Sequence, residues 1–286
     1  MDEPFEILLH EDPQNNSAFR TQNAPGETAR RVLIDRGEVL ILRASLLSVT
    51  HGDFSPSSYD GASLLVFEFQ FLSMNPARRF KRARVEICFE DASGNVGNRP
   101  EVWAIAPKGR LAINRTTSKK DIRRQANLGL NAGGLLSGIV GGEVGYVWEA
   151  SQTVEKTHAT TLTGTARLTE RFGRDNSVVW ELQEDGAKKD GLPSFLRTAV
   201  LLRRKEDVPF RFVIDAKYEM DFAGKMQTLL GRKRADPVDF VQIETDGKTD
   251  LDDVGIDKLD EETTNMKEMD ISKHAEVVMA TLLTTP

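Results

Sequence analysis

Few side chains in this chain are of a type and spacing that could do chemistry. Histidines stand at positions 10, 51, 158 and 274. None belongs to an HExxH pattern or to a pair spaced to grip a metal ion, and no Ser/His/Asp grouping can be read. His158 follows the alternation of Val154 and Leu162, the setting of a partly buried structural histidine. The one cysteine, Cys88, lies in an alternating stretch with no base marked out to activate it, so it is expected to be inert. Asp250–Glu261 (DLDDVGIDKLDE) sets Asp250, Asp252, Gly255 and Glu261 at positions 1, 3, 6 and 12 of a calcium loop. Val254 stands at position 5, where an oxygen is needed, and the flanks are poor helices. The expectation is therefore no catalytic residue, no cofactor and no metal set.

Two further clusters point to binding rather than reaction. Arg78, Arg79, Lys81, Arg82 and Arg84 crowd the start of an alternating stretch. They fit either a charged strand edge that discourages pairing or a contact for an anionic surface. Arg232-Lys233-Arg234 is a second, shorter cluster. The other is the glycine-rich run NLGLNAGGLLSGIVGGEVGYVWE, residues 127–149, charge-free from Ala126 through Gly142.

Three readings compete for that run. A phosphate loop needs Lys and Ser/Thr where Leu135 and Leu136 stand. A membrane helix finds a close-packing ladder in Gly134, Gly138 and Gly142, but the charge-free window of 17 residues is short for a span. Glycine also costs a water-exposed helix ~1 kcal/mol each relative to Ala. β structure fits best. Even positions such as Leu128, Leu130, Leu136, Val140, Val144 and Trp148 are apolar or small. Odd positions are mostly Gly, Asn, Ser and Glu, with Leu135, Ile139 and Val147 as exceptions. A hairpin with one apolar face packs in a core, and it is also what a membrane-inserting protein unfurls.

The surrounding elements carry the same period. Leu65–Phe71, Ala83–Phe89, Val178–Leu182 and Phe210–Tyr218 alternate apolar with polar, which means one buried and one wet face. Further strands are expected over 38–49, 101–106, 153–169 and 196–203, separated by Gly-, Pro- and Asn-rich turns. Amphipathic strands favour antiparallel sheets. The fold class is an antiparallel β-sandwich of eight or more strands, with a glycine-rich hairpin and one or two short C-terminal helices. Helical spacing is read at Phe222, Met226, Leu229 and Leu230, and at Ala275, Val278, Met279 and Leu282.

The expected organisation is a loosely ordered arm over 1–28, a sandwich over 29–243, an acidic linker over 244–270 and a helix within 271–286. The linker carries a net charge of −8 within a chain total of −6, so the body is nearly neutral at +2. It is expected to be mobile and to rest on the basic clusters. A near-neutral body argues against nucleic acid as a partner. One cysteine and no leader pattern at the start point to a reducing, cytoplasmic setting.

The block Phe172–Arg204, FGRDNSVVWELQEDGAKKDGLPSFLRTAVLLRR, resembles a recurrent segment in a group of β-rich proteins of filamentous fungi. Gly173, Asn176, Val178, Trp180, Leu182, Glu184, Gly191-Leu192-Pro193 and Arg197–Leu202 carry the resemblance, which extends over roughly residues 100–220. It implies a fungal, non-secreted β protein and no particular activity. Read without it, the same block is two strands joined by a charged loop, with Trp180 as a core anchor.

The function expected from these readings is a soluble, non-catalytic β-sandwich that binds a protein partner or a second copy of itself. The alternative is a membrane-active, oligomerising protein that inserts residues 126–148, with Gly134, Leu136, Gly138, Val140 and Gly142 at the contact and an anionic surface as target. An enzyme of a class the sequence does not mark is the third reading.

Overall fold

The computed structural model describes residues 30–37, 39–127, 147–169, 173–205, 208–221, 241–243 and 255–278. Among them are twelve strands: β1 (Val32–Arg36), β2 (Leu40–Asp53), β3 (Gly61–Ser73), β4 (Phe80–Asp91), β5 (Glu101–Ala106), β6 (Gly109–Asn127), β7 (Val147–Arg167), β8 (Ser177–Gln183), β9 (Phe195–Arg204), β10 (Phe210–Met220), β11 (Val241–Ile243) and β12 (Glu276–Val278). They form two antiparallel sheets. One runs β1-β2-β3-β9-β12, with β5 also on β9, and the other runs β11-β10-β4-β8-β7-β6. The expected β-sandwich is the fold.

Period two explains the packing. Leu65, Phe67, Phe69 and Phe71 of β3 meet Val85, Ile87 and Phe89 of β4 and Phe210, Phe212 and Ile214 of β10 in one apolar core. Aromatic edges lock the layers together: Phe67 meets Phe212 at 5.5 Å between ring centres, and Phe71 meets Phe80 at 5.7 Å. Trp180, the expected anchor, is 1% exposed and donates its Nε1 hydrogen to the Pro107 carbonyl at 3.0 Å. Gly164 leaves room for that bond. A Cβ there would sit 2.1 Å from the Pro107 oxygen and 3.0 Å from the indole.

The C-terminal region differs from expectation. Residues 255–278 are an ordered strap on the first sheet, although acidic composition suggested a mobile linker. Asp257 joins the edge of β2 at Ser48, and the Asp53 N–H donates to Thr263 O at 2.7 Å. Met266 and Ile271 then cover a second cluster that includes Phe54, Ala62, Leu64, Val66, Ala199 and Leu201 on the outer face of the sheet. Ile256, Met266 and Ile271 are buried and help hold the strap, yet their wide spacing gives no periodic signal. Met266→Ala is expected to cost ~2–3 kcal/mol, read as a lower midpoint in denaturant melts; an unchanged midpoint would mean the strap contributes nothing.

The expected C-terminal helix is also corrected. Ile271–His274 form a 3-10 turn and Glu276–Val278 the strand β12, paired with Phe195–Arg197 of β9. An open edge of β9 supplies ladder partners that local spacing does not reveal. Residues 279–286, the arm over 1–28, the segment with Phe222 to Leu230, and the basic cluster at 232–234 lie outside the described residues.

Candidate functional site: the projecting ribbon

The longest strands are not the best-covered ones. β6 and β7 pair from Gly109↔Gly164 to Asn127↔Val147, with one irregularity between Ile113 and Thr116. β8 pairs with β7 only from Thr161 to Arg167. Among the described residues, 147–160 of β7 therefore have β6 as their one sheet partner, and the pair runs past the end of β8 as a two-stranded ribbon. At ~3.3 Å per residue that ribbon extends ~45 Å. Among the described residues, β6 is the last strand of its sheet, and no strand pairs with its outer edge or with the outer edge of β7 over 147–160.

Register sets the chemistry of the shaft. Thr117 stands opposite Thr157, Lys119 opposite Glu155, Asp121 opposite Thr153, Arg123 opposite Ser151 and Gln125 opposite Glu149. The other alternation set mixes Ser118 and Lys156 with Ile122, Ala150, Ala126 and Trp148. Neither set is apolar throughout. Residues 114–127 carry five Lys/Arg against one Asp. The last rung among the described residues is Asn127↔Val147, where the glycine-rich run begins. Gly134, Leu136, Gly138, Val140 and Gly142 lie outside the described residues.

The basic run is tied up within the fold. Arg79 bridges Glu184, at 2.9 Å, and Asp221. Arg82 bonds Glu181 at 2.8 Å, and Arg84 bonds Glu86 at 3.0 Å. Arg78 donates to the Asp221 carbonyl at 3.2 Å, and the Lys81 carbonyl accepts from the Glu184 N–H. The partners of Arg79, Arg82 and Arg84 among the described residues are carboxylates of β4, β8 and the chain beside them, while residues 244–254 of the acidic segment, expected to rest on this cluster, lie outside the described residues.

The candidate chemical residues are scattered. Cys88 is half-buried; burial pushes its thiol up, and Asn176 Nδ2 donates to its sulfur at 3.5 Å. His51 lies between the sheets, and His274 sits in the strap 3.5 Å from Glu261. Glu261, the twelfth position of the calcium-like loop, bonds Lys273 at 2.6 Å, while Asp250, Asp252 and Val254 lie outside the described residues. Sequence reasoning missed the β6 half of the ribbon. Its alternation is weak because polar residues occupy both sides.

No protein-family model and no curated protein matches the chain. Among solved structures, the membrane-inserted form of the Clostridium perfringens NetB toxin is similar at a TM-score of 0.27 and 9% identity, over 63% of this chain and 78% of that one. That likeness is too slight to bear on function. Among the described residues, no helix is long and apolar enough to cross a membrane.

Proposed function

We propose that this protein is a self-associating, membrane-active β protein whose ribbon carries the glycine-rich segment into a lipid bilayer. The observation that carries the reading is the two-stranded ribbon beyond the end of β8, with no strand on either outer edge among the described residues. Unpaired strand edges are templates for another chain. The β6 edge of one copy and the β7 edge of the next are different surfaces, so their pairing is head-to-tail, the kind of contact that forms a ring when the rotation between copies closes. A closed barrel is the one sheet that satisfies every backbone group in lipid. Residues 128–136 and 138–148 then supply strands of about the 9–11 residues a bilayer needs. Their even positions place Leu128, Leu130, Val140 and Val144 toward lipid, with Tyr146 and Trp148 at the interface. The odd positions place Asn131 and Glu143 toward water.

The partner chemistry follows from the shaft. Lys119, Lys120, Arg123 and Arg124 lie immediately before the apolar run. Basic residues beside a membrane segment attract anionic headgroups by ~1 kcal/mol each. Replacing all four with Gln is expected to weaken binding to phosphatidylserine vesicles on the order of 100- to 1000-fold in sedimentation, with little effect on neutral vesicles. The reading itself is tested by release of trapped dye from anionic vesicles. Gly138→Asp, which puts a charge into the span, should weaken release. Absence of both binding and release at high protein concentration would remove the reading.

A further inference from the structure

The paired stretch of the ribbon sorts its charges by side. From Thr117↔Thr157 to Asn127↔Val147 each rung joins two odd-numbered residues or two even-numbered ones. Each set therefore occupies one side of the ribbon. All three carboxylates of this stretch, Asp121, Glu149 and Glu155, fall on the odd set, together with Lys119 and Arg123. The rest of that set is Thr, Ser, Asn and Gln, apart from Val147. The even set carries Lys120, Arg124 and Lys156 without a carboxylate, and it holds Ile122, Trp148 and Val154.

Continuity fixes which set faces water in a ring of such ribbons. β6 passes into Leu128, on the lipid-facing period, and β7 contains Trp148, at its interface; both are even. The even set is then the outer wall, and the odd set lines the lumen. Lys119 stands opposite Glu155, and Arg123 follows Asp121 by two residues on β6. Glu149 stands opposite the neutral Gln125, beside the last rung. With two cations for three carboxylates, each copy leaves one negative charge in the lumen, and Glu149 is the shaft carboxylate nearest the glycine-rich run.

We infer, resting on the membrane reading above, that the pore of this protein passes small cations in preference to anions, with Glu149 as the shaft residue that sets this choice. Rings of carboxylates select cations by the sign of their field. The excess charge repeats once per copy around the ring, and a low-dielectric wall focuses it on the lumen. Lys120, Arg124 and Lys156 do not cancel it, because they lie on the outer wall, toward anionic headgroups. Glu143 continues the odd period with the same sign.

Current recorded from the full chain in planar phosphatidylserine bilayers, under a potassium chloride gradient, reads the choice as a reversal potential. Potassium is expected to be favoured over chloride on the order of 10-fold. Glu149→Gln should lower that ratio severalfold, and Glu149→Lys should lower it further. Gln125→Glu, on the rung opposite Glu149, should raise it, which keeps the inference testable if the Glu149 variants do not assemble. Lys156→Gln removes a charge from the even set and should leave the ratio as it is. Channels that prefer chloride would overturn the inference and leave the membrane reading standing. So would an unchanged ratio in Glu149→Gln or Gln125→Glu, or a shift in Lys156→Gln as large as that in Glu149→Gln. Absence of any conductance would remove the membrane reading and the inference with it.

Discussion

A chain in which Asn-Gly joins Thr117 directly to Thr157 is expected to melt like the full-length protein and to release no dye from anionic vesicles. Thr117 and Thr157 are ladder partners, so a two-residue turn can close the hairpin at that rung. The residues removed, 118–156, pair with no strand of the sandwich among the described residues; the partner of β6 there is β7 alone. The core centred on Phe67, Trp180 and Phe212 is untouched. A thermal melt and a release assay on the same preparation check both halves. Release that survives the deletion would assign the activity to another part of the molecule. A fall in melting temperature of many degrees would make the ribbon part of the fold's support.

Trp180→Ala has the largest expected effect on stability, a loss of ~3–5 kcal/mol. For a chain of this size that corresponds to a fall in melting temperature of very roughly 6–20 °C. The indole fills the space between Phe69, at 6.3 Å, and Gly164, and its N–H satisfies the Pro107 carbonyl. Trp180→Phe should cost less, because it keeps most of the volume and loses chiefly the hydrogen bond. Gly164→Ala should cost ~1–3 kcal/mol by driving a methyl group into the same carbonyl. Calorimetry of the three variants gives the ranking, and equal stabilities for Trp180→Ala and Trp180→Phe would contradict this account of the core.

What was legible in the sequence is what alternation encodes. β3, β4, β8 and β10 are each half-buried, so Leu65–Phe71, Ala83–Phe89, Val178–Leu182 and Phe210–Tyr218 announce themselves residue by residue. Trp180 was legible for the same reason. The strap was not, because it is held by long-range backbone bonds to β2 and by apolar side chains separated by several polar ones. Its charge count outweighed those few anchors. β12 was misread because Ala275 and Val278 have a spacing that suits a helix, whereas the edge of β9 decides the matter. The basic run was legible as a cluster, but its neutralisation by Glu181, Glu184 and Asp221 depends on β8 and the end of β10 lying beside it. The ribbon was half legible: the 153–169 strand was read, while Arg110–Gln125 hides its period behind charges on both alternation sets.

The central claim is that period two in residues 128–134 is a lipid-facing period. An environment-sensitive fluorophore on single cysteines at Leu128, Gly129, Leu130, Asn131, Ala132 and Gly133, in a Cys88→Ser background, tests it directly. Cys88 is the chain's one cysteine, so each label reports one site. On adding anionic vesicles, labels at 128, 130 and 132 are expected to shift to the blue and to be quenched from within the lipid phase. Labels at 129, 131 and 133 are expected to keep aqueous emission and to be quenched by iodide. Aqueous emission at all six positions, or lipid quenching without alternation, would contradict the claim.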